Sequence, residues 1–197
     1  MTNESNPARS SLLSAPRIAG LVVVIAMIVA MRIEGRIWYC ALRDWSPWIS
    51  DVWTPHCSQH IADPYSFTHF THGLIFYGFF CLVARRLSFD WKLFGAITIA
   101  AAWEVLENSP LIINRYREST MSLDYLGDSV VNSTCDVLFC ILGVYVARWI
   151  GLWRSLALFV AIEIGLLLTM RDNLTTNVIM LIHPIDAIKQ WQSAGHV

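Results

Sequence analysis

Residues 67–84 read FTHFTHGLIFYGFFCLVA. Two histidines, His69 and His72, stand at the head of an apolar run that ends before Arg85 and Arg86. A run of this length is close to the roughly 20 apolar residues that cross a bilayer as a helix. The spacing therefore predicts that both imidazoles lie at one end of a membrane-spanning helix, on one face at i and i+3.

The composition of the whole chain agrees with a membrane protein. Its 197 residues are 55% hydrophobic and 15% charged, with a mean hydropathy of +0.49, whereas soluble domains are about 25% charged. The net charge of -1 gives no indication of nucleic-acid binding. Nine Trp and six Tyr suit the aromatic belts at membrane interfaces. We predict an all-α integral membrane helical bundle of about five transmembrane helices, with short extracytoplasmic loop segments.

Apolar segments of spanning length divide this single integral membrane domain, residues 1–197. The predicted transmembrane helices are 16–31, 67–84, 91–106, 129–149 and 153–170. The alternative for the first segment is a cleaved signal peptide, but no small-residue cleavage site follows it. Residues 1–15 are expected to be a disordered tail. Residues 171–197 are expected to be an extracytoplasmic or re-entrant tail, because the apolar patch at 178–182 is too short to cross.

Positive charge gives the bundle an orientation, since cytoplasmic loops carry an excess of Lys and Arg. Basic residues with almost no acid occur before the first span, between spans two and three, and between spans four and five: Arg9, Arg17, Arg85, Arg86, Lys92, Arg148 and Arg154. We therefore expect a cytoplasmic N-terminus and an extracytoplasmic C-terminus.

This orientation brings polar residues from four helices to the outer leaflet. They are the histidine pair of span two, Glu104, Glu107 and Asn108 at the end of span three, Asp128, Asn132 and Asp136 at the start of span four, and Arg171 and Asn173 after span five. An ionised residue at mid-membrane costs about 3 kcal/mol on insertion scales, so such residues face a bundle interior and are functional candidates. The alternative is a network that only holds helices together.

The residue types in this cluster suit a divalent metal. Histidine with carboxylates is a ligand set for zinc, manganese or iron. The pattern differs from the H-E-x-x-H of metalloproteases and the E-x-x-H of di-iron bundles, and no G-x-S-x-G, Walker loop or dinucleotide fingerprint occurs. The loop before span two adds His60 and Asp63 around the site. Its Cys57 is a candidate for a disulfide with Cys40 if that loop faces the periplasm.

Four blocks of the sequence carry a resemblance. SQHIADPYSFTHFTHG (58–73), WEVLENSPLIINRYR (103–117), YLGDSVVNSTCD (125–136) and RDNLTTNVIMLIHP (171–184) resemble, in order and spacing, a family of bacterial inner-membrane proteins known as domain of unknown function 2585. A histidine-headed helix, W-E-x-x-E and D-x-x-x-N-x-x-x-D are also similar to VanZ-like membrane proteins. The resemblance implies a multi-pass protein of the bacterial inner membrane and supplies no established reaction.

Two functions remain open. The first is a metal-dependent hydrolase or transferase that acts on a lipid or lipid-linked substrate, with no protein partner indicated. In this enzyme, His69 and His72 would bind the metal, and Glu104, Glu107 and Asp128 would act as general acid or base. The substrate would be bound by Arg171, Asn108, Asn132 and Asn173. The metal ligands would be oriented by Asp136, His60 and Asp63. The second is a non-catalytic accessory or binding protein whose polar cluster is a structural hydrogen-bond network. A transporter is less favoured because no inverted repeat is evident.

Overall fold

A computed structural model describes residues 14–120 and 125–194 of the chain. The helices within these ranges are α1 (Ala15–Ile33), α2 (Ser66–Val83), α3 (Phe89–Glu107), α4 (Pro110–Ser119), α5 (Val130–Ile150), α6 (Leu152–Met170), α7 (Leu174–Ile182) and α8 (Asp186–Ser193). The described residues contain no β-strand, and one isolated bridge joins Trp48 to Ala62. The predicted all-α class is confirmed. Most of the predicted N-terminal tail, residues 1–13, lies outside the described residues.

Helix lengths agree with the predicted membrane spans. Four helices, α1, α2, α5 and α6, are long and apolar enough to cross a membrane. The fifth predicted span corresponds to α3, which passes the same test only together with α4, from which it is bent by 72°. By length and composition, the described part of the chain therefore has four candidate spans, or five if the bent pair counts as one. Each predicted boundary lies within two residues of the observed helix end.

The bend between α3 and α4 has a local cause. Asn108 ends α3, Ser109 accepts a hydrogen bond from the backbone N–H of Ile112 as the N-cap of α4, and Pro110 occupies the first turn of that helix. Proline has no N–H and favours the start of a new helix over the continuation of an old one. The sequence interpretation did not anticipate α4, which turns across the bundle end with Ile113 and Tyr116 buried.

The apolar core lies between α1, α3 and α5. Met27 and Met31 of α1 are buried in the same cluster as Ala96 and Ala100 of α3 and Val137 of α5. This packing holds one face of α1 against the bundle, while Leu21, Val22 and Ile25 are exposed on the helix. The packed face favours a bundle helix over the signal-peptide alternative. We refer to the bundle end that carries residues 34–65, α4 and α7 as the loop-rich end.

The backbones of α2 and α5 touch at two glycines. A Cβ atom on Gly73 would lie 2.0 Å from the carbonyl oxygen of Cys140, and one on Gly143 would lie 2.1 Å from that of Phe70. Small residues allow membrane helices to approach this closely. Because His69 lies one turn before Gly73, the contact sets the distance from His69 to α5.

We predict that Gly73→Ala and Gly143→Ala each lower the free energy of unfolding by about 1–3 kcal/mol, because the added methyl forces the helices apart. Thermal unfolding in detergent measures the effect. Gly165→Ala in α6 is the control, since a Cβ there meets nothing within 4 Å. It should leave stability unchanged or raise it, as alanine favours helix more than glycine does. Equal losses in all three variants would contradict the close contact.

Candidate functional site

A cavity of about 200 Å³ lies at the loop-rich end, bounded by α2, α3, α4, α5 and α7 and by two loops. Its walls combine ionisable and aromatic side chains, among them His69, His72, Glu107, Asp128, Asp136, Trp103, Tyr116 and Tyr125. Of the described residues that line it, none is lysine or arginine.

His69 lies between two helices that carry acids. Its Nδ1 is 3.2 Å from Oε1 of Glu104 on α3, and its Nε2 is 3.9 Å from Oδ2 of Asp136 on α5. Glu107 lies one turn after Glu104. One ligand atom from each of His69, Glu104 and Glu107 lies within 4.8 Å of the other two. These three residues therefore form a group with the composition and spacing of a metal site.

Several carboxylate oxygens at this site lack hydrogen-bond partners. By hydrogen-bond geometry, no described residue donates to either oxygen of Glu104, to Oε2 of Glu107 or to Oδ1 of Asp136, and all four atoms are buried, although Nδ1 of His69 lies 3.2 Å from Oε1 of Glu104. Burying an unpaired carboxylate is costly, so such groups take up a proton or bind a cation. The orphaned oxygens fit a divalent cation bound beside His69.

His72 lines the cavity but does not join the group around His69. Its ring stacks parallel to that of Phe76, with centroids 5.5 Å apart, and meets the ring of His69 edge-on at 5.5 Å. The sequence interpretation paired His69 and His72 as metal ligands. The structure instead places Glu104 and Glu107 beside His69, because the imidazoles at i and i+3 lie edge to face and do not converge on one point.

Asp128 and Asn108 form a hydrogen-bonded junction. Oδ1 of Asn108 accepts from the backbone N–H of Asp128 at 2.6 Å, and Nδ2 of Asn108 donates to Oδ2 of Asp128 at 3.0 Å. Tyr125 donates its hydroxyl to Oδ1 of Asp128 at 2.6 Å. Burial raises the pKa of Asp128, although these hydrogen bonds oppose the shift. The two residues join the end of α3 to the start of α5, and Asp128 also lines the cavity. Their predicted acid–base and substrate-binding roles stay predictions.

Three further predicted residues hold the loop 34–65 in place. Asp63 accepts hydrogen bonds from the backbone N–H groups of Ser58, Tyr65 and Ser66 at 2.8, 2.7 and 3.3 Å, and burial raises its pKa. Nδ2 of Asn132 donates to the carbonyl of His60 at 3.0 Å. The His60 ring contacts Ser46, His56 and Tyr39 of its own loop. None of the three lines the cavity.

The residues predicted after span five also lie outside the cavity. Arg171 ends α6 in a left-handed conformation with φ 55°, and its guanidinium donates to the carbonyl of Trp191 at 2.8 Å. Asn173 caps α7 by accepting from the backbone N–H of Thr176 at 2.8 Å. The guanidinium is thus bonded to α8 and the amide caps a helix, so neither is placed to bind a substrate in the cavity. The apolar patch at 178–182 belongs to α7.

Sequence reasoning missed Glu163, which is buried within α6. Its carboxylate accepts from the backbone N–H groups of Leu174 and Thr175 at 3.1 and 2.9 Å and from the Thr175 hydroxyl at 2.6 Å. A carboxylate at a helix N-terminus is stabilised by the helix dipole. The sequence signal that could have identified Glu163 is that it is a single acid in an otherwise apolar span, which indicates a buried residue with a partner.

Two tyrosines of the cavity wall were also missed. The hydroxyl of Tyr116 lies 2.9 Å from Oε1 of Glu107 and 3.0 Å from Oδ1 of Asn177, and its single proton serves only one of them. Tyr125 bonds to Asp128. Both side chains come from segments between spans, where a tyrosine in the sequence has no distinguishing pattern.

Comparison with known proteins identifies the family. Residues 31–194 match the family described as Protein of unknown function (DUF2585). The chain belongs to this family. Similar proteins are all UPF0314 proteins, and the match confirms the resemblance seen in the four sequence blocks. Similarity to VanZ-like proteins stays a prediction.

The similar proteins match over nearly their whole length. UPF0314 proteins of Paracoccus denitrificans, Sphingopyxis alaskensis and Agrobacterium fabrum are 41%, 45% and 43% identical to this chain. The matches cover 92%, 90% and 89% of this chain and 94%, 93% and 88% of those proteins. No solved structure matches. The family name assigns no reaction, so the chemistry must be argued from the site.

We predict that Asn108→Ala lowers the free energy of unfolding by about 1–3 kcal/mol, because it leaves the buried Asp128 without two of its hydrogen bonds. Chemical or thermal unfolding in detergent measures the loss. Asn114→Ala, at an exposed position on α4, is the control for removing an asparagine and should change stability by less than about 0.5 kcal/mol. Similar effects for the two variants would show that the junction contributes little.

The pH dependence of stability tests the buried Asp172. This residue accepts hydrogen bonds from Tyr65, Thr176 and Asn173, and burial raises its pKa. Its carboxyl therefore binds a proton more tightly in the folded chain than in the unfolded one. The resulting stability is present below about pH 4 and is lost as pH rises through the raised pKa.

The side chain of Asp172→Asn stays neutral at every pH. Between pH 4 and pH 8, the melting temperature of this variant should therefore fall by less than that of the wild type. Melting curves at several pH values in one detergent measure the difference. Asp186→Asn, at an exposed position on α8, should follow the wild type. An Asp172→Asn curve parallel to the wild type would show that Asp172 does not contribute to the pH dependence.

Proposed function

We propose that this protein is a membrane-embedded, divalent-metal-dependent hydrolase or transferase that acts on a lipid or lipid-linked substrate. The observation that carries this proposal is the group of His69, Glu104 and Glu107, whose ligand atoms lie within 4.8 Å of one another beside the cavity. The unpartnered oxygens of both glutamates support a cation there.

The donor set supports a catalytic site more than a purely structural one. One imidazole and two carboxylates suit zinc, manganese or iron. Three protein ligands leave a coordination position for water or substrate, as in catalytic zinc sites. When bound, such a metal polarises a carbonyl or phosphoryl oxygen and lowers the pKa of water. The proposal therefore moves Glu104 and Glu107 from the general-base role to the ligand role.

With Glu104 and Glu107 as metal ligands, Asp136 is the carboxylate that could act as general base. It lines the cavity, and its Oδ1 has no hydrogen-bond donor among the described residues. Its Oδ2 lies 3.9 Å from Nε2 of His69, which is too long for a hydrogen bond but places the carboxylate beside the imidazole. A carboxylate in this place can accept a proton from a nucleophile within the cavity, as general bases do.

The walls of the cavity favour a lipid as the substrate. Phe76, Ile99 and Ala100 give it an apolar side between α2 and α3, and Ile99 is 39% exposed on the outside of the bundle. A polar headgroup can enter from this side while its acyl chains stay in the bilayer. The arginine distribution supports a cavity that opens to the outer leaflet, with the N-terminus in the cytoplasm of a bacterium.

The alternative function is non-catalytic. The junction of Asp128, Asn108 and Tyr125 supports it, because these polar groups already bond to one another and leave little capacity for a substrate. In that case the remaining acids would be protonated members of the same network and would bind no metal. Metal binding by His69 therefore separates the two functions.

We expect His69→Gln to lower the metal content of the purified protein by one equivalent per chain. His72→Gln is the matched control, because His72 lines the same cavity one turn away yet lies outside the ligand group. Elemental analysis after loading with Zn²⁺, Mn²⁺ or Fe²⁺ measures this. Equal metal content in the wild type and His69→Gln would exclude the proposed site.

Turnover is tested separately in vesicles of phosphatidylethanolamine, phosphatidylglycerol and cardiolipin, with lipid products followed by mass spectrometry. Asp136→Asn should keep the metal and slow metal-dependent conversion by about 10²–10⁴-fold, the usual contribution of a general base. A wild-type protein that holds the metal and converts none of these lipids would exclude them as substrates. Conversion at the wild-type rate by Asp136→Asn would remove Asp136 from the mechanism.

A further inference from the structure

A second group of metal-binding side chains lies in the loop 34–65, apart from the cavity. Nδ1 of His56 is 3.4 Å from Sγ of Cys40 and 3.3 Å from Nε2 of His60. One ligand atom from each of the three lies within 4.8 Å of the other two. Cys40 and His60 are buried, and none of the three lines the cavity.

Hydrogen bonds alone do not account for these contacts. Nδ1 of His60 is 2.5 Å from the carbonyl oxygen of Ser46, so it carries the ring proton and leaves a lone pair on Nε2. That lone pair points at Nδ1 of His56, which also faces the sulfur of Cys40. A proton on Nδ1 of His56 can be donated to only one of these two neighbours, so the other contact is left unsatisfied.

A tetrahedral zinc ion explains the spacing of the three atoms. With bonds of about 2.0–2.1 Å to nitrogen and about 2.3 Å to sulfur, zinc holds its ligand atoms about 3.3–3.6 Å apart. The observed separations from Nδ1 of His56, 3.3 and 3.4 Å, agree with this range. The bond from His60 to Ser46 is the outer-shell contact that fixes the tautomer and orientation of a metal-bound histidine.

Asp44 lies beside this group. Its Oδ2 lies 3.9 Å from Nδ1 of His56, and its Oδ1 accepts from the backbone N–H and hydroxyl of Ser46 at 2.9 and 2.8 Å. The three residues whose ligand atoms all lie within 4.8 Å of one another do not include Asp44, so its carboxylate is a charged neighbour of the group and not one of its ligands.

We propose that Cys40, His56 and His60 bind a zinc ion that stabilises this loop. The three protein ligands leave the fourth tetrahedral position to water. The ion would hold together the loop that caps α5. In this loop the carbonyl of Ile37 accepts from the backbone N–H of Val130 at 2.8 Å, and the carbonyl of His60 accepts from Nδ2 of Asn132 at 3.0 Å. Zinc in the loop therefore stabilises the end of α5 that carries Asp136.

The thiol of Cys40 provides a spectroscopic test that the cavity site does not share. The full-length protein is purified in detergent with a non-chelating reductant, depleted of metal and loaded with Co²⁺, which gives a thiolate-to-cobalt charge-transfer band when bound to cysteine. We expect the band in the wild type and in Cys57→Ser, and its loss in Cys40→Ser. Cys57 is the matched control because it is a buried, free cysteine of the same loop.

Zinc content gives the second readout. Cys40→Ser and His56→Gln should each lose one equivalent of Zn²⁺ per chain, and His56 is partly exposed, so its replacement disturbs packing little. A chelator should lower the melting temperature of the wild type and of Cys57→Ser by more than it lowers that of Cys40→Ser, which has already lost the loop metal. A wild type without the band, a band that survives in Cys40→Ser, or unchanged zinc in His56→Gln would overturn the loop site.

The test of the loop site gives its answer whether or not the proposed metal in the cavity exists. His69→Gln should keep the charge-transfer band while it loses the cavity metal, and Cys40→Ser should show the reverse. Loss of the band in His69→Gln, at unchanged Cys40, would place the cobalt in the cavity and overturn the loop site.

Discussion

The direct contact between the backbones of α2 and α5 at Gly73 and Gly143 sets the geometry of the cavity. His69 precedes the first glycine by one turn, and Asp136 precedes the second by two, so both project from the touching faces. The distance of 3.9 Å between His69 and Asp136 depends on this approach. Wider spacing of the helices would separate the imidazole from α5 and open the wall that Asp136 forms.

The break in α3 at Asn108 has a complementary effect. Because the chain turns by 72° there, α4 crosses the end of the bundle and packs on α7, and the two short helices cover Glu107 from the loop-rich side. The same asparagine that ends α3 bonds to Asp128 at the start of α5. Local backbone geometry at one residue thus produces both the burial of the acids and the link between two spans.

Much of this arrangement could be predicted from the sequence, because apolar length and flanking charge mark the spans directly. The i, i+3 and i, i+4 spacings also identified His69, Glu104, Glu107 and Asp136 as residues of one bundle end. What the sequence could not distinguish was the partner of each polar side chain. Arg171, Asn173 and Asp63 are occupied by caps and backbone carbonyls or N–H groups, and those partners depend on loop paths that no periodicity reveals.

Glu163 has a consequence for how the chain enters the membrane. It lies seven residues before the end of α6, about 10 Å inside that helix at 1.5 Å per residue, and the start of α7 reaches down to it. Until α7 has formed, α6 presents a lone acid to lipid, at a cost of about 3 kcal/mol on insertion scales. The free N–H groups at the start of α7 remove that cost. We therefore expect α6 and α7 to insert together as a hairpin, so that the N–H groups of Leu174 and Thr175 meet the Glu163 carboxylate as α6 enters the membrane.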